Sequence, residues 1–370
     1  WACKSRWTIS VPDILACGAE LKNTFSLSKN KYVFISHHIG DLENYETLQS
    51  FENGINHYQK LFRVSPQIIA ADLHPDYLST KYAIERAEST NTQLIRVQHH
   101  HAHLAACLAD NNFSTNENVI GCIFDGTGYG SDGKIWGGEI LTGSFQEFTR
   151  TLHLNELPLP GGNSSIKNPA KIAISYLHEA DIELGNDLPP VNEFSSSHLS
   201  TIISQVKTGI NSPLTTSMGR LFDAVASILG IRQSVSYEAQ AAIELENLCD
   251  PDEKAKYSFE LSDKEINVFP MLRALVYDFR SGIGIDIIAS KFHNTVAHVC
   301  LEACSQIRRN TGLSIVALSG GVWQNVILLK KTNDILLKNG FRVLIHRQVP
   351  ANDGGVSLGQ LMIAAHSTFV

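Results

Sequence analysis

No apolar run in this chain approaches the roughly 18 residues needed to cross a bilayer as a helix, and no charged-then-apolar leader opens it. Neither a membrane partner nor a secretory leader is expected. Basic charge is short as well: 30 Lys and Arg against 37 Asp and Glu leave a formal net charge of -7. A generic nucleic-acid binder is basic, so no nucleic-acid partner is expected. Cysteine is present without a framework. The seven residues Cys3, Cys17, Cys107, Cys122, Cys249, Cys300 and Cys304 are odd in number and scattered, which reads as free thiols in a reducing, cytoplasmic compartment. Cys300 and Cys304 share a helix face and read as core packing. There is no Gly-x-Ser-x-Gly elbow and no cysteine with an obvious base, so a covalent nucleophile of the chain's own is not expected. The start at Trp1 rather than Met favours an excised piece.

What the chain does have is a length of 370 residues, 43% hydrophobic and 18% charged, which is globular and enough for two lobes. Its most concentrated chemistry is Val97-Gln98-His99-His100-His101-Ala102-His103. An apolar strand-like run precedes it and a helical run follows. Positions i and i+4 share a helix face, so His99 and His103 are placed to hold one metal ion if further ligands come from elsewhere. Three glycine-rich turns supply candidates: Asp125-Gly126-Thr127-Gly128-Tyr129-Gly130, Ser319-Gly320-Gly321-Val322 and Asn352-Asp353-Gly354-Gly355. Glycine lets backbone N–H groups approach an anion, and a helix start favours phosphate. Together they predict one nucleotide-plus-metal cleft, with Asp125 and Asp353 as oxygen ligands. Two histidines and two aspartates suit iron, zinc or manganese without choosing among them.

Short apolar runs bounded by turn residues predict strands at 14–17, 23–27, 32–36, 67–71 and 93–97. Longer runs with a period near 3.6 predict helices at 44–62, 77–87 and 100–111. The order βββαβαβα begins again with strands at 119–124, 135–141 and near 148–152. It closes with helix 285–309, strand 315–318, helix 322–338, strand 342–345 and helix 355–366. A mostly helical stretch, about 183–283, interrupts it and includes helices at 219–229 and 238–248. The expected fold is therefore α/β: a two-lobed, actin-like (ASKHA) nucleotide-binding architecture of duplicated βββαβαβα lobes with a helical insertion in the second. The expected lobes are 9–116, to which the C-terminal helix 355–367 returns, and 117–354.

The chain also resembles a family. "GAELKNTF" (18–25), "HHIGDLEN" (37–44), "DLHPDYLST" (72–80), "VQHHHAHLAA" (97–106), "DGTGYGSDGKIWGGE" (125–139), "LPLPGG" (157–162), "TSMGRLFDAVASILGI" (216–231), "LSGGVWQN" (318–325) and "NDGGVSLGQ" (352–360) are similar, in order, to the TsaD-like C-terminal part of the HypF family of nickel–iron hydrogenase maturation carbamoyltransferases. The family's other modules have no counterpart here. The resemblance implies a domain that takes carbamoyladenylate, made from carbamoyl phosphate and ATP by an upstream YrdC-like domain. It passes the carbamoyl group to the C-terminal cysteine of a HypE partner, on the way to the cyanide ligand of the hydrogenase iron. It implies a divalent metal, iron or zinc ahead of manganese or magnesium, on His99, His103, Asp125 and Asp353, which are also the catalytic set. It implies ATP or AMP contacts at Asp125, Gly126, Thr127, Gly128, Gly130, Gly219, Asp223, Gly320, Gly321, Asn325 and Asp353. Asp223, one turn after Gly219, is placed to accept from ribose hydroxyls.

Four positions depart from the family pattern: Asn163, Ala170, Lys171 and Ala239. A lysine at 171 keeps the charge of the family's arginine but not its planar fork. Alternative readings are an O-carbamoyltransferase acting on a small-molecule hydroxyl, or a catalytically weak nucleotide- and metal-binding docking module. Threonylcarbamoyl transfer to tRNA is disfavoured by the acidic balance.

Overall fold

The computed structural model describes residues 2–3, 11–113 and 117–367. The expected lobe limits at 9 and 116 lie outside the described residues. We number the main elements in chain order. The first half holds β1 (Ile14–Ala16), β2 (Ser26–Lys29), β3 (Tyr32–Ile35), α1 (Tyr45–Phe62), β4 (Ile68–Asp72), α2 (Leu78–Thr90), β5 (Gln93–Val97) and α3 (His99–Asp110). The sheet runs β3-β2-β1-β4-β5, with a short strand Ala2–Cys3 beyond β3. β1 pairs antiparallel with β2 and parallel with β4, and β4 pairs parallel with β5.

The second half repeats this arrangement. Here β6 (Val119–Tyr129), β7 (Ile135–Gly143) and β8 (Phe148–Leu154) form the antiparallel arm. The parallel arm is β9 (Ile315–Ser319) against β6, then β10 (Arg342–Leu344) against β9. The order β8-β7-β6-β9-β10 is that of the first sheet, element for element. This is the two-lobed α/β fold expected from the pattern. Between β8 and the long helix Ile285–Thr311 the chain is mostly helical. Two pairs of short strands in this stretch hold it to the sheet: Thr215 pairs with Ile135, and Ile266 with Leu154.

Three elements differ from the sequence reading. The second strand starts at Ser26 rather than 23, because Asn23 and Thr24 are used elsewhere. The Asn23 amide donates to Cys17 O (3.0 Å), and the Thr24 hydroxyl donates to Gly354 O (2.9 Å). Asp125–Gly130 is not a turn. β6 runs through it to Tyr129 with a register irregularity between Phe124 and Gly128, and the reversal follows at 130–134. The helix read from 322 starts at Val326: a single 3-10 turn, Gly321–Gln324, precedes it, and the Asn325 side chain accepts from Leu328 N.

α3 is buried along all 12 of its residues, the condition of a helix inside a protein rather than on its face. It lies against β6, β9 and the C-terminal helix α11 (Val356–Ser367; the label leaves α4–α10 for Pro169–Glu179, Ser196–Thr208, Met218–Ile228, Gln240–Asn247, Phe269–Arg280, Ile285–Thr311 and Val326–Lys338). The α3–α11 contact is close enough that a Cβ on Gly359 would fall 1.8 Å from Ala102 O. α11 also meets the first sheet through polar contacts: Gly18 N donates to Gln360 Oε1 (2.8 Å) and Gln360 Nε2 to Gly18 O (3.1 Å).

Candidate metal and nucleotide centre

Open α/β sheets present ligand-binding groups beyond the carboxyl ends of their parallel strands. That is where the histidine run sits. β5 ends at Val97, Gln98 caps α3 by accepting from His101 N (2.8 Å), and the helix carries the four imidazoles. They divide into two pairs. His101 Nε2–H donates to Ser144 O (2.8 Å), and Gln98 Nε2–H donates to His100 Nδ1 (3.2 Å). Burial pushes His101 down to about 4 and His100 well below the usual imidazole range. Both are neutral structural groups.

His99 and His103 face two carboxylates. His99 Nε2 lies 3.4 Å from Asp125 Oδ2 and 3.6 Å from Asp353 Oδ1; His103 Nε2 lies 3.3 and 3.5 Å from the same two atoms. Burial alone would lower both imidazoles. The carboxylates (Asp72, Asp353 and Asp125 around His99; Asp125 and Asp353 around His103) outweigh it, and both are raised. In turn the imidazoles overcome the burial of Asp125 and Asp353 and hold both below the usual carboxylate range.

The four groups fit a metal ion. A tetrahedron with metal–ligand bonds of about 2.1 Å has edges of about 3.4 Å, and the four nitrogen–oxygen separations run from 3.3 to 3.6 Å. His99 Nε2, His103 Nε2 and Asp125 Oδ2 are buried with no hydrogen-bond partner, so their lone pairs have no other use. Among the described residues this is the one group of histidine, cysteine and acidic side chains whose ligand atoms gather within 4.8 Å.

Asp125, Asp353 and His99 are held by hydrogen bonds to their neighbours, whereas both ring nitrogens of His103 are buried without a hydrogen-bond partner. Asp125 Oδ1 accepts from Gly321 N (3.0 Å), which turns Oδ2 toward the histidines. Asp353 stands in the one-turn helix Asp353–Gly355, capped by Asn352 and tied to the first sheet by Thr24. The Ser357 hydroxyl hydrogen-bonds the hydroxyls of both Thr24 and Ser26 (2.8 Å each). His99 has a partner that sequence reasoning missed. Its Nδ1–H donates to Asp72 Oδ2 (2.8 Å), at the end of β4, with both side chains fully buried. Asp72 Oδ1 accepts from His74 N (2.9 Å). A carboxylate on the far nitrogen fixes the tautomer and aims the other lone pair at the metal position. The only sequence signal was an acid ending a buried strand.

Beside these ligands a cleft of about 740 Å³ opens between the lobes, lined by Thr127, Gly128, Arg220 and Asp223 among others. The expected nucleotide residues fall into groups. Thr127, Gly128 and Asp223 reach the cleft. Gly128 is a spacer: a Cβ there would meet His100 Cε1 at 2.4 Å and His99 Cδ2 at 2.8 Å. Gly219, at the start of α6, packs on Gly126, where a Cβ would meet the Cα at 2.9 Å; the Ser217 hydroxyl donates to Asp125 O (3.1 Å). Gly130 abuts Trp136, and a Cβ on Gly320 would meet Phe124 O. Asp223, expected to accept from ribose hydroxyls, already has a protein partner. It is buried, and its Oδ2 accepts from Arg220 Nε (2.8 Å). Asn325 is spent structurally: its oxygen caps α10, and its amide donates to His293 Nε2 (2.9 Å).

Two of the four departures line the second-lobe wall. Asn163 lines the cleft, as does Ala239, which sits at φ +60°. Lys171 donates to Ser164 Oγ (3.3 Å), while Ala170 is buried. Near them, Lys22 of the first lobe forms an ion pair with Glu238 across the cleft.

A family model described as "HypF Kae1-like domain" matches residues 10–110, and one described as "Carbamoyltransferase, Kae1-like Domain, second subdomain" matches 121–360. The chain belongs to the HypF carbamoyltransferase family. It is 38% identical to the carbamoyltransferase HypF of a Synechocystis strain, over 94% of this chain and 46% of that protein. It is 34% identical to a carbamoyltransferase HypF homologue of Cupriavidus necator, over 95% of this chain and 91% of that protein. A crystal structure of full-length HypF in a phosphate- and nucleotide-bound form superposes with a TM-score of 0.92 at 42% identity, covering 97% of this chain and 56% of that one. The chain thus spans about half the length of the full-length HypF proteins it matches.

Proposed function

We propose that this HypF-family domain transfers a carbamoyl group from carbamoyladenylate to the C-terminal cysteine of a HypE-like acceptor in hydrogenase maturation. The observation that carries the reading is the buried His99–His103–Asp125–Asp353 constellation beside an interlobe cleft lined by Thr127 and Gly128, in a chain of this family. His99, His103, Asp125 and Asp353 would hold a divalent cation, iron or zinc ahead of manganese or magnesium, which would supply Lewis-acid stabilisation of negative charge developing on the donor. The adenylate is a mixed anhydride and already activated. The chain's own residues therefore bind, orient and exclude water, and the acceptor brings the nucleophile. AMP would lie along the Gly126–Gly128 backbone and Asp223. An upstream YrdC-like domain would make the adenylate.

The test is to incubate the chain with carbamoyladenylate and HypE and to weigh HypE by intact-protein mass spectrometry. Carbamoylated HypE with wild type, and none with His103→Ala, is expected. An unmodified acceptor in the presence of tightly bound adenylate would overturn the acceptor assignment and favour a small-molecule hydroxyl or a docking role.

A further inference from the structure

Beyond the four ligands, the cleft has a first-lobe wall that the reading above leaves without a task. Glu20, Asp41, Glu43 and Asp76 stand on this wall, which has no lining cation; the second-lobe side carries the cations Lys167 and Arg220 together with the carboxylates of Asp223, which pairs with Arg220, and Glu238. A donor with an anionic phosphate and a neutral carbamoyl group fits such a cleft one way round. The phosphate faces the second lobe, and the carbamoyl group faces the first-lobe wall and the His99–Asp125 cluster.

His74 is a neutral donor on that wall, beside the Tyr77 phenol. Its ring is stacked on Tyr77, with centroids 4.1 Å apart and planes 6° apart, and meets Tyr129 of β6 edge-on at 5.2 Å. The ring is thus clamped between the two lobes. Its tautomer is fixed as well, because Nδ1 accepts from Asp76 N (3.2 Å). A neutral imidazole that accepts at one nitrogen carries its proton on the other, and no described residue takes the Nε2–H. Burial lowers the imidazole's pKa, which keeps it neutral. The same turn supplies the backbone N–H that fixes Asp72, and through Asp72 the ligand His99.

We propose that His74 is a further substrate-contacting residue, whose Nε2–H donates to the carbonyl oxygen of the activated carbamoyl donor in the cleft. The proposal rests on the carbamoyl-transfer reading of this site. In the transfer, a thiolate, having lost its proton to solvent, forms a C–S bond to the carbamoyl carbon. The carbonyl π pair moves onto the oxygen that His74 faces. Collapse breaks the C–O bond to phosphate, and AMP leaves with the bonding pair. A fixed donor on that oxygen binds the ground state modestly and the oxyanion more strongly.

The test uses His74→Phe, which keeps the ring stacking and removes the donor, and His74→Gln, whose amide reaches about as far as Nε2. Two readouts are taken on the metal-loaded chain: affinity for carbamoyladenylate against AMP, and turnover with the HypE acceptor. His74→Phe should lose about tenfold in preference for carbamoyladenylate over AMP and about 100-fold or more in turnover, with metal content and thermal stability kept. His74→Gln should recover at least part of both. Unchanged preference in His74→Phe overturns the proposal, whatever the acceptor. Loss of metal together with preference, with no recovery in Gln, also overturns it and assigns His74 a structural role through Asp72. If wild type modifies no HypE yet the preference still falls in His74→Phe, the acceptor assignment fails and the proposal stands.

Discussion

Replacing Asp72 by Asn tests whether the partner of His99 governs the metal position. The two carboxylate oxygens have separate duties: Oδ2 accepts from His99 Nδ1–H at 2.8 Å and Oδ1 from His74 N–H at 2.9 Å. Asparagine has one acceptor and one donor. Whichever way its amide turns, an N–H faces an N–H in a fully buried site. A hydrogen bond to a charged group is worth about 1.5–3 kcal/mol, and loss of the outer partner of a ligating histidine typically costs 10–100-fold in metal affinity. That factor is about 1.4–2.8 kcal/mol, so two independent routes agree on about 2 kcal/mol. The assay is competition for zinc against a chromophoric chelator at neutral pH, with thermal unfolding of the metal-free protein as a control for folding. Asp72→Asn should bind zinc 10–100-fold more weakly while still unfolding cooperatively. An affinity within threefold of wild type would refute the reasoning, because the tautomer of His99 would then be set by something other than Asp72.

Three further outcomes are expected. Gly359→Ala places a Cβ 1.8 Å from Ala102 O, a backbone atom that cannot turn aside; it should cost about 3 kcal/mol and weaken zinc binding by parting Asp353 from α3, and an unchanged denaturation midpoint would contradict the packing. Ala239 holds a left-handed backbone at φ +60°, so Ala239→Gly should stabilise by about 1 kcal/mol; a lower midpoint in chemical denaturation would count against it. Glu20 is pushed up to about 7 by burial and by Glu43, against the Leu78 and Ser79 N–H groups and Lys81. Its folded value lies above the unfolded one of about 4.3, so stability is lost as pH rises from about 4 to about 7. The melting temperature of Glu20→Gln should therefore gain on wild type across that window, and parallel curves would dismiss the shift.

What could be read from the chain and what could not divide along physical lines. The repeated lobe was legible because strand and helix periods are local, and β1–β5 recur as β6–β10 in the same order. His99 and His103 were legible because one helix carries both at i and i+4. Asp72 was not: it lies 27 residues before His99 and meets it only when β4 and β5 pair. Glycines misled in one place. Gly126 and Gly128 look like a turn but lie in β6: Gly128 serves as clearance for the histidines, and Gly219 is the glycine that lets α6 approach the backbone at Gly126. Asn325 sits in a motif beside Gly320 and Gly321, yet its carboxamide caps a helix and meets His293, a partner that no spacing rule connects to it.

The distances along the chain also explain why the site belongs to the assembled lobes rather than to either one. Asp353 follows His103 by 250 positions, and reaches it because α11 leaves the second lobe to pack on α3 and the first sheet. The Thr24–Ser357–Ser26 hydroxyls and the Gln360–Gly18 pair fix that return, and Gly359 sets how closely the helices meet. Three of the four ligand atoms are buried and unpartnered, a cost of about 1–3 kcal/mol each when nothing satisfies them. A cation bound there relieves that cost only while α3, β6 and the start of α11 stay together. Metal binding at this site would therefore be linked to lobe assembly, each stabilising the other by the same free energy.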